Sequence, residues 1–363
     1  MKKEKISYSQ LFYTVICYIQ SFSLLMSFSF SLSGKDTWFA YLLGSAFAFI
    51  FLLINLAVMR YFPGKNLIQI NEQLYGKKVG KIISILYLSY FFILSSLNLR
   101  DMNNFVGLDI LPETPTLVIL ISFILVCGWA VTKGIKVIVR YSTAFAWITF
   151  ISFALTSILV SGRMNWHNFL PMFTTSPQKL LQSANIVSVV PLGMIVFQMI
   201  APVMDQPDKL SKCFKISFWV GSVFLVMVSL RDTAVLGVMA QFLATPSYAT
   251  LRLAGFSEAF QGLDIVYAVL LIMLEFFKVS ILYYALTAGI TQLLQKKSWA
   301  KPLIVILGVL IIIFSRILFQ SVSAQVAAVQ NVERWVWLLF ELVLPLISLL
   351  RIQLVLKKRE SCA

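Results

Sequence analysis

The chain has 363 residues, is 59% hydrophobic and only 12% charged, and carries a formal charge of +15. A soluble domain is about half apolar and about a quarter charged, so this composition excludes a water-soluble globular fold. The positive charge is no nucleic-acid footprint, because the lysines and arginines fall in clusters between apolar runs rather than on one polar element.

A hydrocarbon core of about 30 Å takes roughly 20 helical residues to cross. Ten runs meet that need: 9–33, 38–61, 82–106, 115–132, 139–160, 185–204, 213–236, 264–287, 302–320 and 335–356. They are too long for strands, lack two-residue alternation, and as strands would leave open edges in lipid. The sequence predicts an all-α integral membrane protein of about ten transmembrane helices, one permease-like domain over 1–363. The N-terminus lacks a small-residue cleavage site, so the first run reads as a retained span. Lys2, Lys3 and Lys5, then Arg60 to Lys81, Lys133 to Arg140, Lys209 to Lys215, Lys296 to Lys301 and Arg351 to Arg359 alternate with poorer loops. The positive-inside rule then puts both termini in the cytoplasm.

In chain order, span 1 has no Gly or Pro before Gly34 but is rich in serine: Ser21, Ser23, Ser27, Ser29, Ser31 and Ser33. Serine hydroxyls bond back to helix carbonyls and bend a helix. Residues 64–80 read as either a plain loop or an amphipathic surface helix. Span 3 ends in Asn98, Arg100, Asp101, Asn103 and Asn104, either a solvated helix end or an outer vestibule. His167 is the single histidine and reads as a surface residue. Span 6 holds Pro191-Leu192-Gly193 in its middle and Pro202 near its end. Proline removes a backbone donor and clashes with the preceding turn, so this helix is expected to break and expose backbone groups to a ligand. Two halves of five spans would make span 1 its counterpart.

Span 7 carries the Arg231-Asp232 pair, and the outer stretch 237–263 is expected to fold back on the outer face or to run as loop. Span 8 carries Glu275 and Lys278, three residues apart on one helix face. They read as an ion pair within the helix or as a ligand or coupling site. Arg316 and Glu341 read as outer-side residues that snorkel or pair locally. Cys17, Cys127, Cys213 and Cys362 form no paired motif and read as apolar filler. There is no nucleotide loop, zinc spacing, nucleophile elbow or triad. No enzyme, catalytic residue, metal or cofactor is therefore expected.

Several short motifs, in order, resemble the B subunits of bacterial spore germinant receptors, the endospore germination permease family of the amino acid–polyamine–organocation superfamily. They are Gly34-Lys35-Asp36-Thr37-Trp38, Arg60-Tyr61-Phe62-Pro63-Gly64-Lys65, Leu111-Pro112-Glu113-Thr114-Pro115, Asn168-Phe169-Leu170-Pro171, Val235-Leu236-Gly237 and Phe276-Phe277-Lys278-Val279-Ser280. The resemblance runs over nearly the whole chain. It implies a five-plus-five inverted-repeat, amino-acid-transporter-like fold in the spore inner membrane, working with A and C subunits to recognise a small germinant such as an amino acid. It also implies a germinant pocket among spans 1, 3, 6 and 8, carried onto Ser21, Phe22, Ser23, Tyr90, Leu94, Leu192, Gly193, Val279 and Tyr283. Two departures stand out: Gln20-Ser21-Phe22-Ser23 replaces a glycine-rich break, and Ile195 stands where an acidic residue is common. In the expected mechanism, broken span 6 offers backbone groups, Tyr90 and Tyr283 shape the walls, and Lys278 offers charge to an anionic group. Membrane lipid is the other expected partner, and nucleic acid is not one. An ion-coupled amino-acid permease and a ligand-gated water or ion path are the alternative functions.

Overall fold

The structure is a computed structural model and describes residues 5–190, 192–254 and 263–360. Among the described residues, eight helices are long and apolar enough to cross a membrane. They correspond to spans 2, 3, 4, 5, 7, 8, 9 and 10. The two remaining runs, spans 1 and 6, are each divided. Span 1 consists of Tyr8–Gln20, a 3-10 turn Ser21–Leu25, and Ser27–Ser33. Span 6 consists of the helix Pro177–Val189 followed by 3-10 turns Ile195–Met199 and Ala201–Val203.

Helix ends follow local chemistry. Ser7 caps span 1 in a capping box with Gln10. Span 6 begins at Pro177, earlier than the hydropathic run, because proline suits a first helical position. Span 8 extends past 287 to Leu294. Span 10 begins at Val322 rather than 335: the Ser321 hydroxyl accepts the Ala324 N–H at 3.1 Å and starts a helix that passes through two π turns to Glu360. Residues 64–80 do hold a helix, capped by Asn66 and Gln69. At Gly76, with φ 80° and ψ 170°, it folds back against the start of span 3, a conformation open to glycine alone.

The packing has an internal symmetry. Span 1 packs on span 7 and span 2 on span 6; span 9 packs on span 3 and span 4 on span 8; span 5 packs on span 1 and span 10 on span 6. Shifting each number by five converts one contact of every pair into the other, as two five-span halves require. Small residues carry the close crossings, as usual between membrane helices. A Cβ on Gly44 of span 2 would lie 2.6 Å from Val187 of span 6, and one on Gly221 of span 7 would lie 2.9 Å from Ile19 of span 1. Outward positions such as Ile151, Ile158 and Leu125 are exposed, a pattern suited to lipid and unsuited to water.

On one face the N-terminal segment and the loops interlock. Ile6 exchanges backbone hydrogen bonds with Val203 and Asp205, and Asn66 bonds Gln292. On the far face, two of the motifs quoted above meet. Asp36 accepts the N–H groups of Phe173 and Thr175 at 2.8 and 2.9 Å, and Lys35 donates to the carbonyl of Leu170. The helix Pro246–Ala254 folds back over the bundle and packs on the 3-10 turn of span 1, span 7 and span 8. Residues 255–262 of the stretch expected to fold back lie outside the described residues, as do Lys2, Lys3, Pro191 and Cys362.

Candidate functional site

The α-helix of span 6 ends at Val189. Val190, with φ −89° and ψ −63°, is still in the helical region, but Met194, with φ −118° and ψ 7°, is not, and a 3-10 turn starts at Ile195. The N–H groups of Met194 and Ile195 therefore have no helical partner, and buried backbone donors require one. A side chain of span 10 supplies it. Glu341 Oε2 accepts Met194 N–H at 3.0 Å and Ile195 N–H at 3.2 Å. Its Oε1 accepts the Tyr90 hydroxyl of span 3 at 3.2 Å. The carbonyl of Glu341 accepts Asn55 Nδ2 of span 2, and Asn55 Oδ1 accepts Gln198 Nε2 from beyond the break, at 2.9 Å. Tyr90 also stacks on Phe340, with ring centroids 4.5 Å apart.

Gly193 is required by space. A Cβ there would lie 2.6 Å from the Val189 carbonyl oxygen and 2.8 Å from Glu341 Oε1. Glu341 is thus not an outer-side residue that snorkels, as its run of sequence implied; it is buried against the break. The hydropathic run starts at Trp335 and put Glu341 two turns inside the helix. The actual start at Val322 puts it roughly 28 Å along.

Span 1 behaves differently. Gln20 and Met26, at the ends of its 3-10 turn, keep helical dihedrals. Ser21 donates back to the Tyr18 carbonyl at 2.8 Å, and Ser21, Phe22 and Ser23 are all buried. The Lys278 ammonium of span 8 lies 5.6 Å from the ring centroids of both Tyr18 and Phe22, an arrangement that stabilises a desolvated cation. Tyr18 in turn meets Phe197 of span 6 edge-on at 5.2 Å. Lys278 forms no salt bridge with Glu275; among the described residues the pair that closes is Arg231–Asp232, at 2.8 Å. Both carboxyl oxygens of Glu275 are buried without a hydrogen-bond partner.

The expected residues therefore divide. Phe22 and Lys278 come together, Tyr90 and Gly193 meet through Glu341, and Leu94 stands one turn from Tyr90 on the same face. Leu192 and Val279 are buried beside Gly193 and Lys278 in the chain. Tyr283 is turned away from spans 1 and 6. Its hydroxyl donates to the Ile304 carbonyl of span 9, and its ring lies against Gly128 and Gly308 of spans 4 and 9. It cannot shape the wall expected of it.

Above the span 1 turn, on the far side, a cavity of ≈ 30 Å³ is lined by Leu24, Leu25, Asp101, Asn104, Thr245 and Gln325. The polar end of span 3 is not a solvated helix end. Gln325 of span 10 donates to Asp101 at 2.6 Å and accepts from Arg100 at 3.2 Å, and Arg100 also donates to the Ser315 carbonyl. Ser247 of the folded-back helix donates to Asp232, and Thr245 to Asp109.

The family described as "Spore germination protein" matches residues 5–324. The chain belongs to this family. Its relatives in Bacillus subtilis (strain 168) include spore germination protein KB, 27% identical over 99% of this chain and 98% of that one. Spore germination protein YndE is 24% identical over 77% of each chain. Among solved structures, a substrate-bound, outward-open Na+-coupled sialic acid symporter aligns with a TM-score of 0.57 at 14% identity, over 88% of this chain and 75% of that one. That likeness establishes the transporter-type fold. The chain is a multi-pass membrane protein of the spore germination receptor and permease kind.

Proposed function

We propose that this chain is the germinant-recognising membrane subunit of a spore germinant receptor. It works beside A and C subunits in the spore inner membrane, with both termini in the cytoplasm. The germinant, an amino acid or similar nutrient, binds where spans 1, 3, 6, 8 and 10 converge. The observation that carries this reading is the opened backbone of span 6 next to Tyr90, with the buried Lys278 held across span 1. An ionisable side chain in a membrane core is costly and is retained for function. Binding biases the bundle between two states to the extent that the ligand prefers one of them.

Spores carrying Lys278→Ala or Leu192→Trp test the site. Either substitution is expected to raise the nutrient concentration for half-maximal germination at least tenfold, at normal protein level. Unchanged responses of both mutants to every nutrient would refute the site. An ion-coupled permease is the second reading, favoured by the transporter fold, and predicts saturable, gradient-driven uptake by the purified chain in vesicles. Ligand binding without accumulation supports the receptor.

A further inference from the structure

Glu341 is 2% exposed, and a carboxyl group so buried must be matched by donors. The match is unusually complete. The side chain takes the Met194 and Ile195 N–H groups and the Tyr90 hydroxyl, while its carbonyl is held through Asn55 to Gln198 on the far side of the break. Span 10 is wound as a π turn over Leu339–Val343, a feature that often re-aims a functional side chain. Gly193 makes room for Oε1. In broken transporter helices, freed backbone donors face the anionic group of the substrate. Here a carboxylate of the chain itself occupies them.

We infer that Glu341 is a specificity-determining residue: its resident carboxylate fills the span 6 donor pair, so the germinant meets an acceptor there and turns a hydrogen-bond-donating end, ammonium or hydroxyl, toward span 6. A carboxylate offers about four acceptor positions. Three are in use, which leaves one for the ligand. Lys278, held against span 1, supplies the opposite pole. A zwitterionic amino acid would lie with its nitrogen toward Glu341 and its carboxylate toward Lys278, whereas a sugar would use hydroxyls alone. This deepens the receptor reading and rests on it for the identity of the ligand as a germinant.

The test has two arms. In the first, the purified full-length chain is melted with and without acetate. Glu341→Ala leaves the Met194 and Ile195 donors open, so acetate is expected to raise the melting temperature of this variant and not that of the wild type. Glu341→Gln, which keeps an acceptor on the donor pair, is expected to fold and to ignore acetate. No response of Glu341→Ala, or an equal response of wild type, overturns the resident-carboxylate assignment. If Glu341→Ala does not fold without acetate, recovery of folded protein on adding acetate is the supporting result and no recovery the overturning one.

In the second arm, spores with this chain as their B subunit are exposed to L-amino acids, the matching amino-acid amides, the N-acetyl amino acids and glucose. An N-acetyl form at least tenfold weaker than its amino acid supports an ammonium at Glu341, and an amide weaker than its amino acid supports the carboxylate at Lys278. Response to glucose alone supports a hydroxyl. An N-acetyl form as potent as its parent amino acid overturns the donor-end assignment. If no nutrient acts through this chain, the receptor reading fails, while the acetate arm still decides the role of Glu341.

Discussion

Span 1 keeps helical dihedrals through its interruption, with φ −60° and ψ −28° at Gln20 and φ −62° and ψ −19° at Met26. Span 6 leaves them, and its freed N–H groups are taken by another span. The two interruptions hold equivalent places in two packed halves, so their difference reflects local sequence. In span 1 the Ser21 hydroxyl bonds back to its own helix at the 3-10 turn, whose flanking residues keep helical dihedrals. Gly193 in span 6 removes the side chain that would block approach of Glu341. A bent span and an opened span are thus different devices: the first packs side chains against Lys278, the second presents backbone.

The largest effect is expected where the opened span has least room. Gly193→Ala places a methyl 2.6 Å from a carbonyl oxygen and 2.8 Å from Glu341. Overpacking costs about 1–3 kcal/mol and occasionally more, and with two contacts under 3 Å the upper end is expected here. Unfolding of the purified protein in mixed micelles should show the loss, and Gly162→Ala, with nothing within 4 Å of its Cβ, should show none. Equal behaviour of the two variants would mean that the break does not depend on a missing side chain.

A middle-sized effect is expected at the brace across the break. Gln198→Leu leaves Asn55 Oδ1 buried and unpaired, at a cost of about 1–3 kcal/mol. Asn55→Leu alone leaves Gln198 Nε2 unpaired in the same way. The double variant removes both partners and should be less destabilised than the sum of the single losses, as coupled neighbours are. A mixed-micelle unfolding cycle measures this, and strict additivity would dissolve the brace.

Much of this was legible in the sequence, and the limits are physical. Hydropathy finds the crossings because lipid permits only apolar, self-satisfied helices. Pro191-Leu192-Gly193 marks the opened span because glycine and proline act locally. The partner of the break was not legible. Glu341 follows Trp337, Leu338, Leu339 and Phe340 in an apolar run, and its depth depends on a helix start set by Ser321 in a polar stretch that hydropathy assigns to a loop. A Ser cap at 321 was the one available signal. Tyr283 failed for another reason. Apart from Glu275 and Lys278, span 8 is apolar on its faces and buried on most, so periodicity could not say which side Tyr283 takes.

The smallest effect tests the closed state of span 1. If Ser21 sits in intact helical backbone, its hydroxyl bond to Tyr18 only replaces a bond already made within the helix, and Ser21→Ala should change stability by no more than about 0.5 kcal/mol. Ser21→Gly should then cost about 0.5–1 kcal/mol more than alanine, because glycine pays extra backbone entropy in a helix. The order reverses if the working protein opens span 1 as it opens span 6, since glycine would then relieve backbone constraint that alanine keeps. Unfolding of the two variants with and without a germinating nutrient separates these cases. Alanine more stable than glycine in both conditions keeps span 1 a bent helix throughout the cycle, whereas a reversal on adding nutrient would make it a second opened span that ligand binding creates.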